Sequence, residues 1–203
     1  MKLILVRHGE TKWNYENRVV GHTGMALNNN GRKQAGRLAQ ALKDEEVSCI
    51  YSSPLRRARE TAAAIARAQG LHVVTVDALK EVDAGELEGL TFDEVVERYG
   101  DFLQEWIKDT PSFRIPGGES ITELRERTWP AVQRIVSEHP DEVVIAVSHS
   151  LAILSIISSA LGMNISNFRR LRLSVASISV LDFGEHVASL VLFNDTCHLE
   201  SGG

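Results

Sequence analysis

The sequence predicts an α/β fold, a three-layer sandwich with a mainly parallel central sheet, and three observations carry that expectation. Short apolar runs rich in β-branched residues, Leu3-Ile4-Leu5-Val6 and residues 143–147 above all, alternate with longer stretches of helical periodicity. No linker, repeat or low-complexity tract divides the 203 residues, so a single domain over 1–203 is expected. With 43% hydrophobic and 24% charged residues, the chain has the apolar content that a buried core requires.

The elements follow in order. Leu3 to Val6 is apolar at each position and gives way at Gly9, the pattern of a strand buried on both faces. Asn28, Asn29 and Asn30 offer caps before Ala35, Leu38, Ala39 and Leu42, whose i, i+3, i+4, i+7 spacing lays an apolar stripe along a helix. A strand is expected over 48–52. A helix should follow over 55–68, where alanines mix with arginines and neither Gly nor Pro intervenes. After a short strand over 72–76, residues 91–116 carry Phe92, Val95, Val96, Tyr99, Phe102, Leu103, Trp106 and Ile107, read as two short helices broken near Gly100 and forming a helical cover over the site. Pro116-Gly117-Gly118 precedes Ile121, Leu124, Val132, Ile135 and Val136, a long helix in which Pro130 should cause a bend or require local relief. Residues 143–147 are the clearest buried strand, followed by a helix over 151–161. Two alternating segments, 176–183 and 187–193, joined through Gly184-Glu185, predict a closing hairpin.

A formal charge of −5 argues against general binding to nucleic acid or anionic membranes and confines any anion site to a local pocket. Cys49 and Cys197 are the two cysteines in a chain long enough to fold without disulfide staples. The apolar start is interrupted by Arg7 and His8, far short of the roughly 20 residues of a membrane span. A cytoplasmic protein is expected, with no nucleic-acid or membrane partner; a homodimer is left open.

Ligands of such sheets bind at the carboxyl ends of the strands. Arg7-His8, Ser52-Ser53 and Ser148-His149 each stand where a predicted strand hands over to a loop or helix, so three separate segments point to one crevice. Arginine offers a planar fork of donors to phosphate oxygens, and a neutral imidazole nitrogen can attack phosphorus. Alone, an Arg-His pair at a strand end reads by default as a surface pair. His149 likewise reads as a satisfied buried histidine, although the helix opening at Ser150 would add backbone donors for an anion. His22, His72, His139, His186 and His198 read as surface or structural. No histidine pair has the spacing of a metal-binding helix motif and no cysteine cluster occurs, so neither metal nor cofactor is expected.

Taken together, the ordered motifs resemble the histidine phosphatase superfamily, which includes cofactor-dependent phosphoglycerate mutases and small-molecule phosphatases. The matching residues are Arg7-His8-Gly9-Glu10-Thr11 with Trp13-Asn14, the run from Ser52-Ser53-Pro54-Leu55-Arg56-Arg57-Ala58 to Ala62, Leu79-Lys80-Glu81, Gly85-Glu86-Leu87-Glu88-Gly89, Gly117-Gly118-Glu119-Ser120 and Val147-Ser148-His149. The resemblance implies a phosphoglycerate mutase-like fold, transient phosphorylation of His8, and Arg7, Arg57 and His149 around the phosphoryl group. It selects Arg57 over Arg56 because the family places its arginine directly before alanine, and on a helix the two point about 100° apart. Glu81 becomes the candidate general acid, protonating the leaving oxygen and then helping water attack; the first step requires a raised pKa. Asp83, Glu86 and Glu88 are the acidic alternatives. Asn14, Gly21 and Ser150 are the candidate substrate-binding residues. The chain departs from the family at Gly21-His22-Thr23-Gly24-Met25-Ala26-Leu27-Asn28, which lacks the usual Asp and Pro, and at Ser150, where many relatives have glycine.

These features predict a phosphatase acting on a small phosphorylated metabolite. The alternatives are a phosphoglycerate mutase and, from another class, an inactive phosphate-binding regulatory protein. Between Val82 and Gly118 stand nine acids (Asp83, Glu86, Glu88, Asp93, Glu94, Glu97, Asp101, Glu105, Asp109) against Arg98, Lys108 and Arg114. That balance is expected to repel a bisphosphate and so to favour hydrolysis. Region 85–89 resembles α-ribazole phosphatases, and the patterns at 117–120 and 196–199 resemble metal-independent phosphoserine phosphatases.

Overall fold

Leu3, Ile4, Leu5 and Val6 are all at most 1% exposed, as a strand covered on both faces demands. In the computed structural model, which describes residues 1–108, 111–184 and 187–200, they form the centre of β1 (Lys2–Arg7). The other strands are β2 (Val47–Ser52), β3 (Val73–Thr75), β4 (Val143–Ser148), β5 (Ile178–Phe183) and β6 (Ala188–Asp195). They make one six-stranded sheet in the order β3-β2-β4-β1-β5-β6. β3, β2, β4 and β1 are mutually parallel, whereas β5 runs antiparallel to β1 and pairs with β6 as the expected hairpin. Its predicted joint at Glu185, with His186, lies outside the described residues.

The period of two divides the core. Leu3 and Leu5 share one layer with Val144 and Ala146, facing α5 (Ile121–Glu138) and α6 (Ser150–Ala160); Ile4 and Val6 share the other with Ile145 and Val147, facing α2 (Asn29–Ala41) and α3 (Arg56–Gln69). α6 is buried at every position from Ala152 to Ser158, and each fully buried Ile or Leu there contributes roughly 2 kcal/mol of transfer free energy. Asn28 caps α2 by accepting from the Gly31 amide, so the departure from the family loop retains a cap.

Two expected irregularities take definite form. Helix α4 (Phe92–Lys108) is interrupted at Tyr99, with φ −129° and ψ 30°, one residue from the predicted break. α5 runs through Pro130 without ending; Pro130 and Glu126, whose carbonyl loses its donor, are both exposed, so the break in the hydrogen-bond ladder falls on the outer face of the helix. α1 (Lys12–Tyr15) is a single turn closed by a Thr11–Asn14 capping box, which the apolar periodicity did not register.

The arrangement brings three carboxyl ends side by side. β1 pairs with β4 in a register that sets Arg7 opposite Ser148, and Ser52 of β2 stands opposite Val147 on the other side of β4. The next residues along, His8, Ser53 and His149, therefore emerge together. Gly9 then passes so close to Gly31 at the start of α2 that a Cβ would lie 2.6 Å from the Gly31 carbonyl oxygen. Only a backbone without a side chain fits at that crossing.

Candidate active site

His8, Arg57 and His149 are 3%, 0% and 0% exposed, so each polar atom they carry needs a partner within the fold. His8 Nδ1 lies 2.7 Å from the Gly9 carbonyl oxygen, which can only accept, so the proton belongs on Nδ1. That leaves the Nε2 lone pair facing Arg57, whose Nε donates to it at 3.1 Å. Burial, with the fields of Arg57 and Arg7, holds the His8 imidazole well below its ordinary pKa. The ring is neutral and turns one nitrogen lone pair toward Arg57.

Arg57 would be costly to bury unpaired, and each of its three nitrogens has a partner, which uses three of its five N–H donors. The terminal nitrogens donate to the carbonyls of Thr23 at 3.0 Å and Gly21 at 2.7 Å. Burial pulls its pKa down to about 10, against the opposing fields of Glu81 and Glu88, so it stays cationic at neutral pH. Glu88 holds the same loop from the other side, accepting from the Gly21 and Thr23 amides at 3.0 and 2.6 Å. Arg56, by contrast, is exposed and pairs with Glu60 at 2.8 Å. Thr61 links the two elements, accepting from the Gly9 amide at 3.1 Å while donating to the Arg57 carbonyl at 2.9 Å.

His149 packs its ring 5.1 Å from that of His8 and meets Ser53 Oγ through Nε2 at 2.7 Å. Ser53 Oγ already accepts from the Leu55 amide, so its hydroxyl proton is best spent on Nε2, which places the imidazole proton on Nδ1. That Nδ1 and Arg7 Nε are buried without a protein partner, the donors a phosphoryl oxygen would use. Burial, Arg57 and His8 together hold the His149 ring well below its ordinary pKa. Arg7 also donates to the Leu173 carbonyl.

The amino end of α6 does hold an acidic side chain, but it is the carboxyl group of Glu81. Its Oε1 accepts from Val82 and Ala152 at 3.0 and 3.2 Å, and its Oε2 accepts from Leu151 at 3.2 Å. The helix that was expected to donate to a substrate therefore orients the candidate acid. The Glu81 carbonyl is pinned by Arg127 at 2.7 Å and by His22 Nε2 at 2.8 Å, while Arg127 also grips Glu119 and the carbonyls of Ala78 and Lys80. Sequence reasoning passed over Arg127 and assigned His22 to the surface or scaffold. The signal for Arg127 was its place beside Leu124 and Thr128 on the buried stripe of α5.

The substrate-binding candidates divide. Ser150 lines a cavity of 380 Å³ that begins at Glu81. Gly21 contributes its carbonyl to Arg57 and packs where a Cβ would lie 2.8 Å from Ala84. Asn14 spends Oδ1 on the Thr11 amide and hydroxyl at 3.0 and 2.9 Å, so it shapes the loop after His8. Phe92, Val95, Phe102, Leu103 and Trp106 of α4, with Ile115, face the cavity from one side. None of the described acids between 82 and 118 lines it. Asp93, Glu97, Asp101 and Glu105 are exposed, Glu86 accepts from Tyr99, and Glu94 pairs with Arg18. The expected acidic repulsion is thus corrected: an amphipathic helix turns its charges outward, and a count along the sequence cannot see the face. Asp109 lies outside the described residues.

Among the other histidines, His139 bridges Tyr51 and Glu142, His198 bonds the Ala176 carbonyl, and His72 is exposed. Among the described residues, no group of three or more His, Cys, Asp or Glu side chains is placed to hold a metal ion, and no helix is long and apolar enough to cross a membrane.

Two buried imidazoles and two guanidinium groups gathered at the strand ends form a donor set that suits a phosphoryl group. The chain belongs to the histidine phosphatase superfamily, branch 1, whose model matches residues 3–196. It is 35% identical to "Phosphoserine phosphatase 1" of Hydrogenobacter thermophilus across 98% of this chain and 94% of the relative. It is 36% identical to "Probable phosphoglycerate mutase GpmB" of Cronobacter sakazakii across 90% and 85%. The solved phosphoserine phosphatase of Entamoeba histolytica in complex with 3-phosphoglyceric acid superposes with a TM-score of 0.87 at 33% identity, covering 98% of this chain and 99% of that one.

Proposed function

We propose that the protein hydrolyses a small phosphomonoester through a phosphohistidine on His8. The observation that carries this reading is the single lone pair of His8 Nε2, fixed by the Gly9 carbonyl on the opposite nitrogen and flanked by Arg57. Nε2 attacks phosphorus and forms the N–P bond as the ester P–O bond breaks. Arg7, Arg57 and His149 Nδ1–H stabilise charge on the phosphoryl oxygens, the main catalytic task in such transfers. Glu81 gives its proton to the departing oxygen. Water then attacks phosphorus and returns a proton to Glu81, releasing inorganic phosphate and restoring the imidazole.

Hydrolysis is favoured over mutation by the cavity beside Glu81. The cation lining it, Arg18, is held by Glu16, Glu94 and the Gly89 carbonyl, which leaves little positive charge for a second phosphate. Residues 91–116 act as a cover within a single domain spanning 1–203, and the unpaired Cys49 and Cys197 fit a reducing, cytoplasmic setting.

Rapid acid-free quenching with ³²P-labelled ester tests the reading. EDTA-treated enzyme should accumulate an alkali-stable, acid-labile label, because guanidinium and imidazole groups supply the positive charge. His8→Ala should abolish the label and lower turnover by at least about a thousandfold. A label on another residue, or a strict requirement for added magnesium, overturns it.

A further inference from the structure

We infer that the preferred substrate carries an uncharged, largely apolar organic group rather than an amino acid or a second anion. This inference rests on the phosphatase reading above and narrows it. In-line transfer sends the leaving oxygen away from His8 and toward the acid that protonates it, so the organic group lies on the Glu81 side. The 380 Å³ cavity begins there, a size within the roughly 300–1,000 Å³ of small-molecule sites.

Its walls have a consistent chemistry. Phe92, Val95, Phe102, Leu103, Trp106 and Ile115 present carbon, the two charged residues that join them, Glu81 and Arg18, are already committed, and Asn17 and Ser150 add uncharged polar groups. Both oxygens of Glu81 accept from backbone amides and face the ester oxygen in the reaction. Arg18 is spent on Glu16, Glu94 and a backbone carbonyl. The ammonium and carboxylate of phosphoserine would lose water in this cavity without gaining a charged partner, which is costly. An aromatic or aliphatic group exchanges water for the same walls at a gain.

The experiment compares 2-phenylethyl phosphate with phosphoserine, both primary alkyl esters, so that leaving-group chemistry differs less than the pocket contacts. The kcat/KM for 2-phenylethyl phosphate should be higher by roughly ten- to a hundredfold. Leu103→Arg, placing a cation on the wall, should narrow or reverse that ratio. Because that variant depends on correct folding, the wild-type ratio is decisive on its own. Equal or faster hydrolysis of phosphoserine overturns the apolar assignment while leaving the phosphatase reading intact. No phosphate from either ester, and no phosphohistidine, overturns both.

Discussion

His8 and Arg57 are held by hydrogen bonds to backbone and to each other, and His149 by the Ser53 hydroxyl, at three adjoining strand or helix ends, whereas the cavity next to them is walled on one side by the packing of a single kinked helix. The two regions share Glu81. In the first, most polar atoms have a fixed partner, so a small displacement costs charge stabilisation at the transferring group. In the second, specificity comes from non-directional contact, and the wall can be repacked without disturbing the nucleophile. On the proposed mechanism, chemistry and choice of substrate are carried by separable parts of the chain.

The sharpest way to break that separation is at Arg57. Arg57→Ala should lower kcat/KM for any ester by on the order of a hundred- to a thousandfold, since it removes a desolvated cation that touches the nucleophile. Arg56→Ala, one position away but exposed and paired with Glu60, should change it by less than about threefold. Steady-state kinetics on folded variants checks both. A comparable loss in each would mean that the helix register does not select one guanidinium.

How far each region was legible in the sequence follows from what builds it. Strand ends are marked by apolar runs that stop, so His8, Ser53 and His149 were placed together before any coordinate, and the choice of Arg57 needed only the family pattern and the helical 100° step. The wall was legible in its residues but not in its polarity: summing nine acids over Val82 to Gly118 ignored that helix α4 directs Asp93, Glu97, Asp101 and Glu105 outward. Arg127 and His22 were passed over for a further reason. Both act on the Glu81 carbonyl, a backbone group whose position no side-chain motif reports.

A pH experiment sharpens the comparison from the buried side. His8 and His149 both have folded pKa values held well below the unfolded value near 6.5, through burial first and the neighbouring cations second. The unfolded chain therefore binds more protons below that value. The contribution to stability is fully present above about pH 6.5 and is lost as pH falls from there toward the folded values, with a slope of up to about 1.4 kcal/mol per pH unit for each ring. Urea denaturation between about pH 7.5 and 5.5 should show this decline, and His149→Asn should reduce it. Glu119, also held below its ordinary value, acts in the same direction but at lower pH, where carboxylates titrate. A flat profile would remove the neutral, desolvated pair from the argument.

A smaller effect on the wall itself is expected at its far edge. Arg169 sets its guanidinium 4.2 Å from the centre of the Trp106 ring and donates to the Trp106 carbonyl at 2.9 Å, while Phe168 meets the same ring edge-on. These contacts tie the second half of α4 to residues 165–170, on the opposite side of the kink at Tyr99 from Phe92 and Val95. Arg169 is exposed, so the cation–π contact is worth only about 0.5–1 kcal/mol. Arg169→Ala should therefore raise KM for 2-phenylethyl phosphate a few-fold by loosening one wall of the cavity. The breakdown rate of preformed phosphohistidine should not change, because water and Glu81 complete that step after the organic group has left. Single-turnover measurement of that rate beside steady-state KM separates the two regions directly. An equal loss in both would show that the wall and the phosphoryl pocket move as one body.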